Sequence, residues 1–160
     1  MKYVCIYEAL PNKFFSIPFF ILSVIEILLI IYTIVNWRNN KNSEKIGMLI
    51  VLFVPFIIIV STIYSYCSSQ TIWDNYKSGN YYTVEGKIED YEIGTKEKLA
   101  YPDRFTVNGV HFIIAESPST GYGYSKRQYD GGSLRNGLYC KIYYIPYRFE
   151  NVIMKLEIVQ

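Results

Sequence analysis

Two long apolar runs dominate the first half of the chain. Residues 14–37 contain one charged residue, Glu26, and residues 46–73 contain none. About 20 consecutive apolar residues span the hydrocarbon core of a bilayer, whereas helices in soluble cores are shorter and carry a polar face. The pattern therefore predicts two transmembrane helices, at about residues 14–37 and 47–67. No small-residue cleavage site follows the first run, so we expect it to remain attached as an anchor and not to be removed as a signal peptide.

The second half of the chain alternates between apolar and polar residues, as half-buried β-strands do. Its clearest signal is the segment 105–112, Phe-Thr-Val-Asn-Gly-Val-His-Phe, in which two alternating runs flank Asn-Gly. Asn-Gly favours a two-residue type I′ turn, because both central positions need a positive φ. The segment is therefore predicted to form a hairpin with Val107 opposite Val110 and Phe105 opposite Phe112.

Three further segments alternate in the same way and complete a set of five one-sided strands. The predicted inward-facing sets are Val84, Gly86 and Ile88; Leu138, Cys140, Ile142 and Tyr144; and Val152, Met154, Leu156 and Ile158. One-sided strands in so small a domain must close on one another to bury their apolar faces. The spacing of three strands, a long gap and two strands predicts a small antiparallel OB-like barrel, with an SH3-like barrel as the alternative.

These patterns together predict an α+β membrane protein with two domains. Residues 1–73 would form a transmembrane helical hairpin, and residues 74–160 a small soluble five-stranded β-barrel. Lys and Arg number five in the first half against three acids, and eleven in the second half against eleven acids, so the net charge of +2 comes from the membrane half. Because the β domain carries no basic excess, we expect no nucleic-acid partner.

The Lys and Arg residues of the short loops predict the orientation in the membrane. The loop 38–46 carries three of them, whereas the N-terminal flank carries two. The positive-inside rule then places this loop in the cytoplasm and both termini outside it.

The residues that usually carry chemistry are scattered. Cys5, Cys67 and Cys140 have no metal-ligand spacing, and Cys140 is predicted to be a buried thiol. A disulfide between Cys5 and Cys67 remains an alternative if both residues lie outside the cytoplasm. His111 is the single histidine and should face outward, opposite Thr106. No nucleophile motif such as GxSxG is present. The sequence therefore predicts no catalytic residue, no metal site and no cofactor, and the protein is not expected to be an enzyme.

Glu26 is the one ionisable residue in the middle of the first predicted span. A charge at that depth is costly, so such a residue is a functional hypothesis by default. At 100° per residue it shares a broad helical face with Ser16, Ser23 and Thr33. One interpretation is a neutral glutamic acid that hydrogen-bonds to Ser23 or to the second helix. The others are proton or ion passage, which would need a homo-oligomer, and pairing with a membrane partner.

The segment 121–132 is the other unusual feature, with three tyrosines, two cations and four glycines. Long loops without secondary structure are uncommon in compact domains and are often functional. We hypothesise a surface for contact with a protein, a glycan or an anionic lipid head group. Its residues would be Tyr122, Tyr124, Lys126, Arg127 and Tyr129. The alternative is an exposed connector whose tyrosines pack back over the barrel.

Four segments resemble a group of uncharacterised bacterial membrane proteins that carry a C-terminal β domain behind hydrophobic helices. They are Val-Glu-Gly-Lys-Ile at 84–88, the hairpin 105–112, the turn at 131–137 and Lys-Leu-Glu-Ile at 155–158. The resemblance covers about residues 80–160 and implies the bacterial inner membrane, but no activity. The layout is more loosely similar to that of NfeD-type proteins, whose membrane helices precede an OB-like domain.

From the residues and the resemblance we expect a membrane-anchored, non-catalytic binding or assembly module. Its β domain would lie outside the cytoplasm, and its partners would be the lipid bilayer and a protein of the membrane or envelope. The alternative is a small membrane subunit of a transport or envelope complex, in which the intramembrane Glu26 is functional.

Overall fold

The structure is a computed structural model that describes residues 2–11, 17–37, 42–94, 101–115 and 123–159. Within these ranges it is an α+β fold with two helices and one six-stranded antiparallel sheet. In chain order the elements are β1 (Tyr3–Glu8), α1 (Ile17–Asn36), α2 (Asn42–Lys77), β2 (Tyr82–Glu92), β3 (Asp103–Val107), β4 (Val110–Ile114), a short 3-10 helix (Gln128–Asp130), β5 (Tyr139–Tyr147) and β6 (Glu150–Val159).

The chain forms two compact units, and the division differs from the predicted boundary at residue 73. The β unit contains Met1–Asn12 and Ser68–Gln160, and the helical unit contains Lys13–Cys67. The sequence analysis placed the N-terminal residues with the helices, whereas Tyr3–Glu8 forms the edge strand β1 of the sheet. The partner of β1 is β6, at the other end of the sequence, so no local pattern predicts the pairing.

The sheet is open, and the predicted five-stranded closed barrel is not confirmed. Its strand order is β1-β6-β5-β2-β3-β4, with β1 and β4 at the edges. β4 approaches the start of β6 through one side-chain hydrogen bond, in which Asn151 Nδ2 donates to the carbonyl oxygen of His111 at 2.9 Å. β4 and β6 do not form a backbone hydrogen-bond ladder. The carbonyl of Ile153 in β6 instead accepts a hydrogen bond from the backbone N–H of Tyr124.

The predicted β-hairpin is confirmed residue by residue. Phe105 pairs with Phe112 and Val107 with Val110, as the two-residue loop requires. The turn residues Asn108 and Gly109 have φ angles of 46° and 79°, so both take the left-handed region that favours Asn-Gly here. His111 pairs with Thr106 and is exposed, as predicted.

The single face predicted for β6 is wrong. Val152 and Met154 pack in one core cluster, whereas Leu156 and Ile158 pack in another together with Ile153. The pairing of β6 with β5 shifts by one residue within this stretch. A bulge of this kind moves the following side chains to the opposite face of the sheet, and an alternation pattern does not reveal it.

The sheet buries apolar residues on both faces. The main core takes the predicted inward sets of β2 and β5 together with the hairpin residues and two loop residues. Its buried members are Val84, Ile88, Phe105, Val107, Phe112, Ile114, Tyr124, Leu134, Cys140, Ile142, Ile153 and Leu156. The second core lies under the last residues of α2 and contains Ala9, Ile72, Ile145, Val152 and Met154. The end of α2 is therefore a structural part of the β unit.

One segment of the described chain, Phe53–Lys77 in α2, is long and apolar enough to cross a membrane. Its last ten residues belong to the β unit, and its earlier side chains are largely exposed. In α1 the apolar segment Ser23–Val35 is shorter. The predicted second span lies within α2, whereas residues 12–16 and 38–41, at the ends of the predicted first span, lie outside the described residues.

Replacement of Gly109 by valine should lower the free energy of unfolding by more than about 1 kcal/mol, because a β-branched residue at positive φ is strained. No atom lies within 4 Å of the added Cβ, so the cost is one of backbone conformation and not of packing. Thermal unfolding of the detergent-solubilised chain, followed by near-ultraviolet circular dichroism, measures the loss. Asn108→Gly, which keeps the turn, is the matched control. A Gly109→Val protein that melts like the control would contradict the type I′ turn.

Candidate functional site

The loop that follows β4 is fixed to the sheet by the buried carboxylate of Asp103. Asp103 opens β3, and its side chain is fully buried. Its Oδ2 accepts hydrogen bonds from the Tyr91 hydroxyl at 2.8 Å and the Gln128 backbone N–H at 2.9 Å. Its Oδ1 accepts from the Gly94 N–H at 2.8 Å. Burial of a carboxylate is costly unless its oxygens are hydrogen-bonded. These three donors therefore offset the free-energy cost of burying Asp103.

A bulge in β2 brings Tyr91 to Asp103. Strict alternation from Val84 and Ile88 would turn residue 90 inward. Instead Asp90 takes a φ of 51°, and the pairing with β3 shifts between Glu89 and Glu92. The Tyr91 ring then stacks on Phe105 with centroids 5.8 Å apart. Burial first, and the hydrogen bond to Asp103 next, raise the pKa of Tyr91, so its hydroxyl remains a donor.

Arg127 holds the same loop on its other side. It is 3 % exposed, and its Nη1 donates to the carbonyl oxygen of Tyr101 at 3.1 Å. The Arg127 carbonyl accepts from the N–H groups of Asp130 and Gly132. A Cβ at Gly132 would lie 2.5 Å from the Lys126 carbonyl oxygen, so glycine is the residue that fits. The described part of the loop, residues 123–132, is therefore folded tightly against the β unit.

Tyr124 lies in the interior and not on a free surface. It is 5 % exposed and belongs to the main core. Its ring meets Tyr7 of β1 in an edge-to-face contact, with centroids 5.4 Å apart. Burial raises the pKa of both tyrosines. This placement follows the alternative interpretation of the loop, in which tyrosines pack back over the sheet.

A cavity of about 250 Å³ opens between β1 and this loop. Tyr7 and Tyr124 form its aromatic wall, and Lys126 stands exposed beside it. Its remaining lining residues are Ile6, Ser125, Gly131 and Ser133. We call these seven residues the loop cavity. Aromatic faces, two hydroxyls and one cation suit a ligand group that joins an apolar or flat part to a negatively charged or polar part.

The residues proposed for the contact surface therefore do not form one continuous surface among the described residues. Lys126 and the wall residue Tyr124 come together at the loop cavity. Arg127 is buried and acts as a structural residue of the loop. Tyr122 lies outside the described residues. Tyr129 belongs to the short 3-10 helix, and only its backbone is described.

A second, wider groove of about 460 Å³ lies on the outer face of the β3–β4 hairpin. Its polar lining contains two carboxylates, one guanidinium and one imidazole. The lining includes Asp90, Glu92, Arg104, Thr106, His111 and Ile113. His111 Nδ1 is 3.0 Å from the Thr106 hydroxyl. Both signs of charge line this groove. No group of three potential metal ligands occurs among the residues that the structure describes.

Glu26 occupies a buried stripe of α1 in the helical unit. It is 6 % exposed, and its neighbours Ile25 and Ile27 are exposed. Thr33, two turns later, is also buried and donates to the Leu29 carbonyl at 2.8 Å. Within the described residues, Glu26 Oε2 has no hydrogen-bond partner. The polar face predicted for this helix is therefore present at Glu26 and Thr33.

Asp103, Tyr91 and Tyr7 are the structural residues of the site that sequence reasoning missed. The alternation that turns Phe105 and Val107 inward also turns Asp103 inward, so two more residues of the pattern would have revealed it. No comparable signal marks Tyr91 or Tyr7, because the first depends on a bulge and the second on a distant strand pairing.

The chain matches no family model, no curated protein and no solved structure. The resemblance to helix-anchored bacterial β domains therefore stays a prediction.

Asp103→Asn should lower the free energy of unfolding by about 2 kcal/mol or more, because one amide N–H would oppose a backbone donor and leave buried groups unpaired. Tyr91→Phe removes a single donor and should cost about 1 kcal/mol. Thermal unfolding of the full chain in detergent measures both. The exposed Asp130→Asn is the matched control. If Asp103→Asn melts with this control, Asp103 does not anchor the loop.

Proposed function

We propose that the protein is a membrane-anchored, non-catalytic binding or assembly module whose β unit lies outside the cytoplasm and whose loop cavity contacts a partner. The observation that carries this proposal is the pairing of β1, which precedes the apolar helices in the sequence, with β6, which follows them. The apolar surface of α2, the charge of the loop between the helices and the chemistry of the loop cavity provide further support.

The apolar surface of α2 favours a lipid environment. Large apolar side chains are exposed over most of the helix surface between residues 53 and 64, including Phe53, Phe56, Ile57 and Val60. In water such a continuous apolar surface promotes aggregation, whereas acyl chains solvate it at no cost. This segment is the membrane-spanning part of the proposed anchor.

The sheet pairing favours two spans over one. β1 precedes both helices in the sequence and β6 follows them, yet the two strands pair from Tyr3↔Val159 to Glu8↔Lys155. Paired strands lie on the same side of a bilayer, so the chain between them crosses it an even number of times. If α2 crosses, then α1 crosses as well, and the helical unit is a transmembrane hairpin. The bacterial inner membrane, implied by the resemblance, is the proposed location.

A reporter fused after Gln160 should behave as a non-cytoplasmic protein, because the loop 38–46 carries more Lys and Arg than the N-terminal flank. A reporter fused before Met1 should give the same result, since β1 and β6 share one sheet. Paired alkaline phosphatase and fluorescent-protein fusions measure both ends, and a fusion within residues 38–41 is the opposite-side control. Cytoplasmic activity at both termini would reverse the orientation, and different sides for the two termini would contradict the two-span hairpin.

The loop cavity is the proposed contact site of the β unit. The half-buried Tyr7 supplies aromatic contact area, the buried Tyr124 supports it from behind, and the exposed Lys126 adds a cation at the rim. We propose that a membrane or envelope protein inserts an apolar side chain flanked by an acidic group. No step of this function requires a catalytic residue, a metal or a cofactor.

Lys126→Glu should reduce the recovery of co-purifying partners several-fold, because a carboxylate at the rim repels an acidic group. The partners are quantified by mass spectrometry after purification of the full chain from detergent-solubilised membranes. Lys87→Glu, an equal charge change at an exposed position of β2, is the matched control and should leave recovery unchanged. Both variants should melt like the unmodified chain. Equal recovery in the two variants would refute the loop cavity as the contact site.

The alternative function, a small membrane subunit that depends on Glu26, has its own supporting observation. Glu26 is buried in the helical unit, and its Oε2 lacks a hydrogen-bond partner within the described residues. An unsatisfied carboxyl at membrane depth is typical of functional sites. In the same purification, Glu26→Gln separates the two functions. Loss of partners with Glu26→Gln but not with Lys126→Glu would favour the membrane-subunit function.

A further inference from the structure

We infer that the tip of the β5–β6 hairpin, Arg148–Phe149, contacts lipid at the membrane interface. This inference rests on the proposed membrane anchoring and adds a second contact between the protein and the bilayer, made by the β unit itself.

The tip presents an apolar side chain that the fold of the β unit does not use. Tyr147 pairs with Glu150, so Arg148 and Phe149 form a two-residue turn, and Arg148 has a φ of 55°. Phe149 is 98 % exposed. Turns of this length favour Gly, Asn and Asp, because these residues adopt positive φ readily and keep the tip polar. The tip therefore carries an exposed aromatic ring beside an arginine, where a turn of this length usually carries small polar residues.

The strand register shows that the chain leaves β1 toward this tip. β1 runs antiparallel to β6, with Glu8 opposite Lys155, and the Ala9 N–H donates to the Met154 carbonyl at 2.8 Å. From Tyr3 to Ala9 the chain therefore runs toward the start of β6, where the hairpin turn lies. Leu10 follows in that direction and is 77 % exposed. The sequence then continues into α1.

The last turns of α2 pack on the same half of the sheet. The Tyr76 hydroxyl donates to the Glu8 carboxylate at 3.4 Å, at the level where Glu8 pairs with Lys155. One turn earlier, Ile72 packs in a cluster with Ile145 and Val152, which pair with each other nearer the hairpin turn. The last turns of α2 therefore pack against the half of the β5–β6 hairpin that carries the tip.

The end of β1 and the last turns of α2, which connect to the apolar helices, therefore both lie in the half of the sheet that carries the hairpin tip. Where two spans emerge from a bilayer, the adjoining end of the domain faces the interfacial layer. Aromatic residues are enriched in that layer, and arginine binds lipid phosphate groups there. The Arg148 guanidinium lies 5.5 Å from the centroid of the Tyr147 ring, which keeps the cation beside an aromatic face that also suits this environment.

The test uses the full chain reconstituted in vesicles of phosphatidylcholine with a minority of phosphatidylglycerol. Cys5 and Cys67 are exposed and are replaced by serine, whereas Cys140 is buried, and burial raises its pKa to about 12, so it does not react. A polarity-sensitive fluorophore is attached to Phe149→Cys. Asn136→Cys, before the first residue of β5, is the matched control, because the nine residues of this strand separate it from the tip by about 26 Å.

Doxyl-labelled lipid should quench the fluorophore at position 149 several-fold more than at 136, and aqueous iodide should quench it less. Equal quenching at the two positions would overturn the inference. Protection at position 149 from both quenchers would also overturn it, because a protein surface would then cover the tip. Ile57→Cys in α2 reports on the anchor. Lipid quenching at 57 but not at 149 refutes only this inference, whereas no lipid quenching at 57 refutes the membrane anchoring itself.

Discussion

The hydrogen bonds to the buried carboxylate of Asp103 constrain the half of the β unit that contains the loop cavity. Two separate parts of the chain supply its three donors: Tyr91 and Gly94 at the end of β2, and Gln128 in the loop. Because a buried carboxylate without donors is strongly unfavourable, these parts must be positioned together or not at all. The core face of β3 and the path of the loop are therefore determined jointly.

This coupling gives the loop cavity its shape. With Gln128 held at Asp103, the preceding residues bring Tyr124 to β6, where its N–H donates to Ile153, and to the ring of Tyr7. The same backbone bond occupies the edge of β6 that a closing ladder with β4 would need, so the loop both builds the cavity and keeps the sheet open. A rigid loop loses little conformational entropy when it binds, which suits a contact site.

Local patterns predicted the features that local chemistry determines. The Asn-Gly turn set the register of Phe105 with Phe112, because turn geometry and alternation agree there. The local patterns failed where residues distant in the sequence determine the structure. The shift in β6 divides Met154 from Leu156. The tyrosine-rich composition of the loop indicated a surface, but Tyr124 fills a core whose other wall, β1, is visible only once the strand pairing is known.

The pairing of β1 with β6 also determines what the β unit is. Residues from both sides of the helical unit build it, and Ala9 and Ile72 share a buried cluster with Ile145 and Met154. A fragment that starts at residue 74 would lack β1 and Ile72 and would expose this second core. The helices therefore contribute more than an anchor. In the proposed transmembrane hairpin the chain would return to one side of the bilayer and bring β1 near its partner, which would lower the entropic cost of closing the longest loop in the sheet.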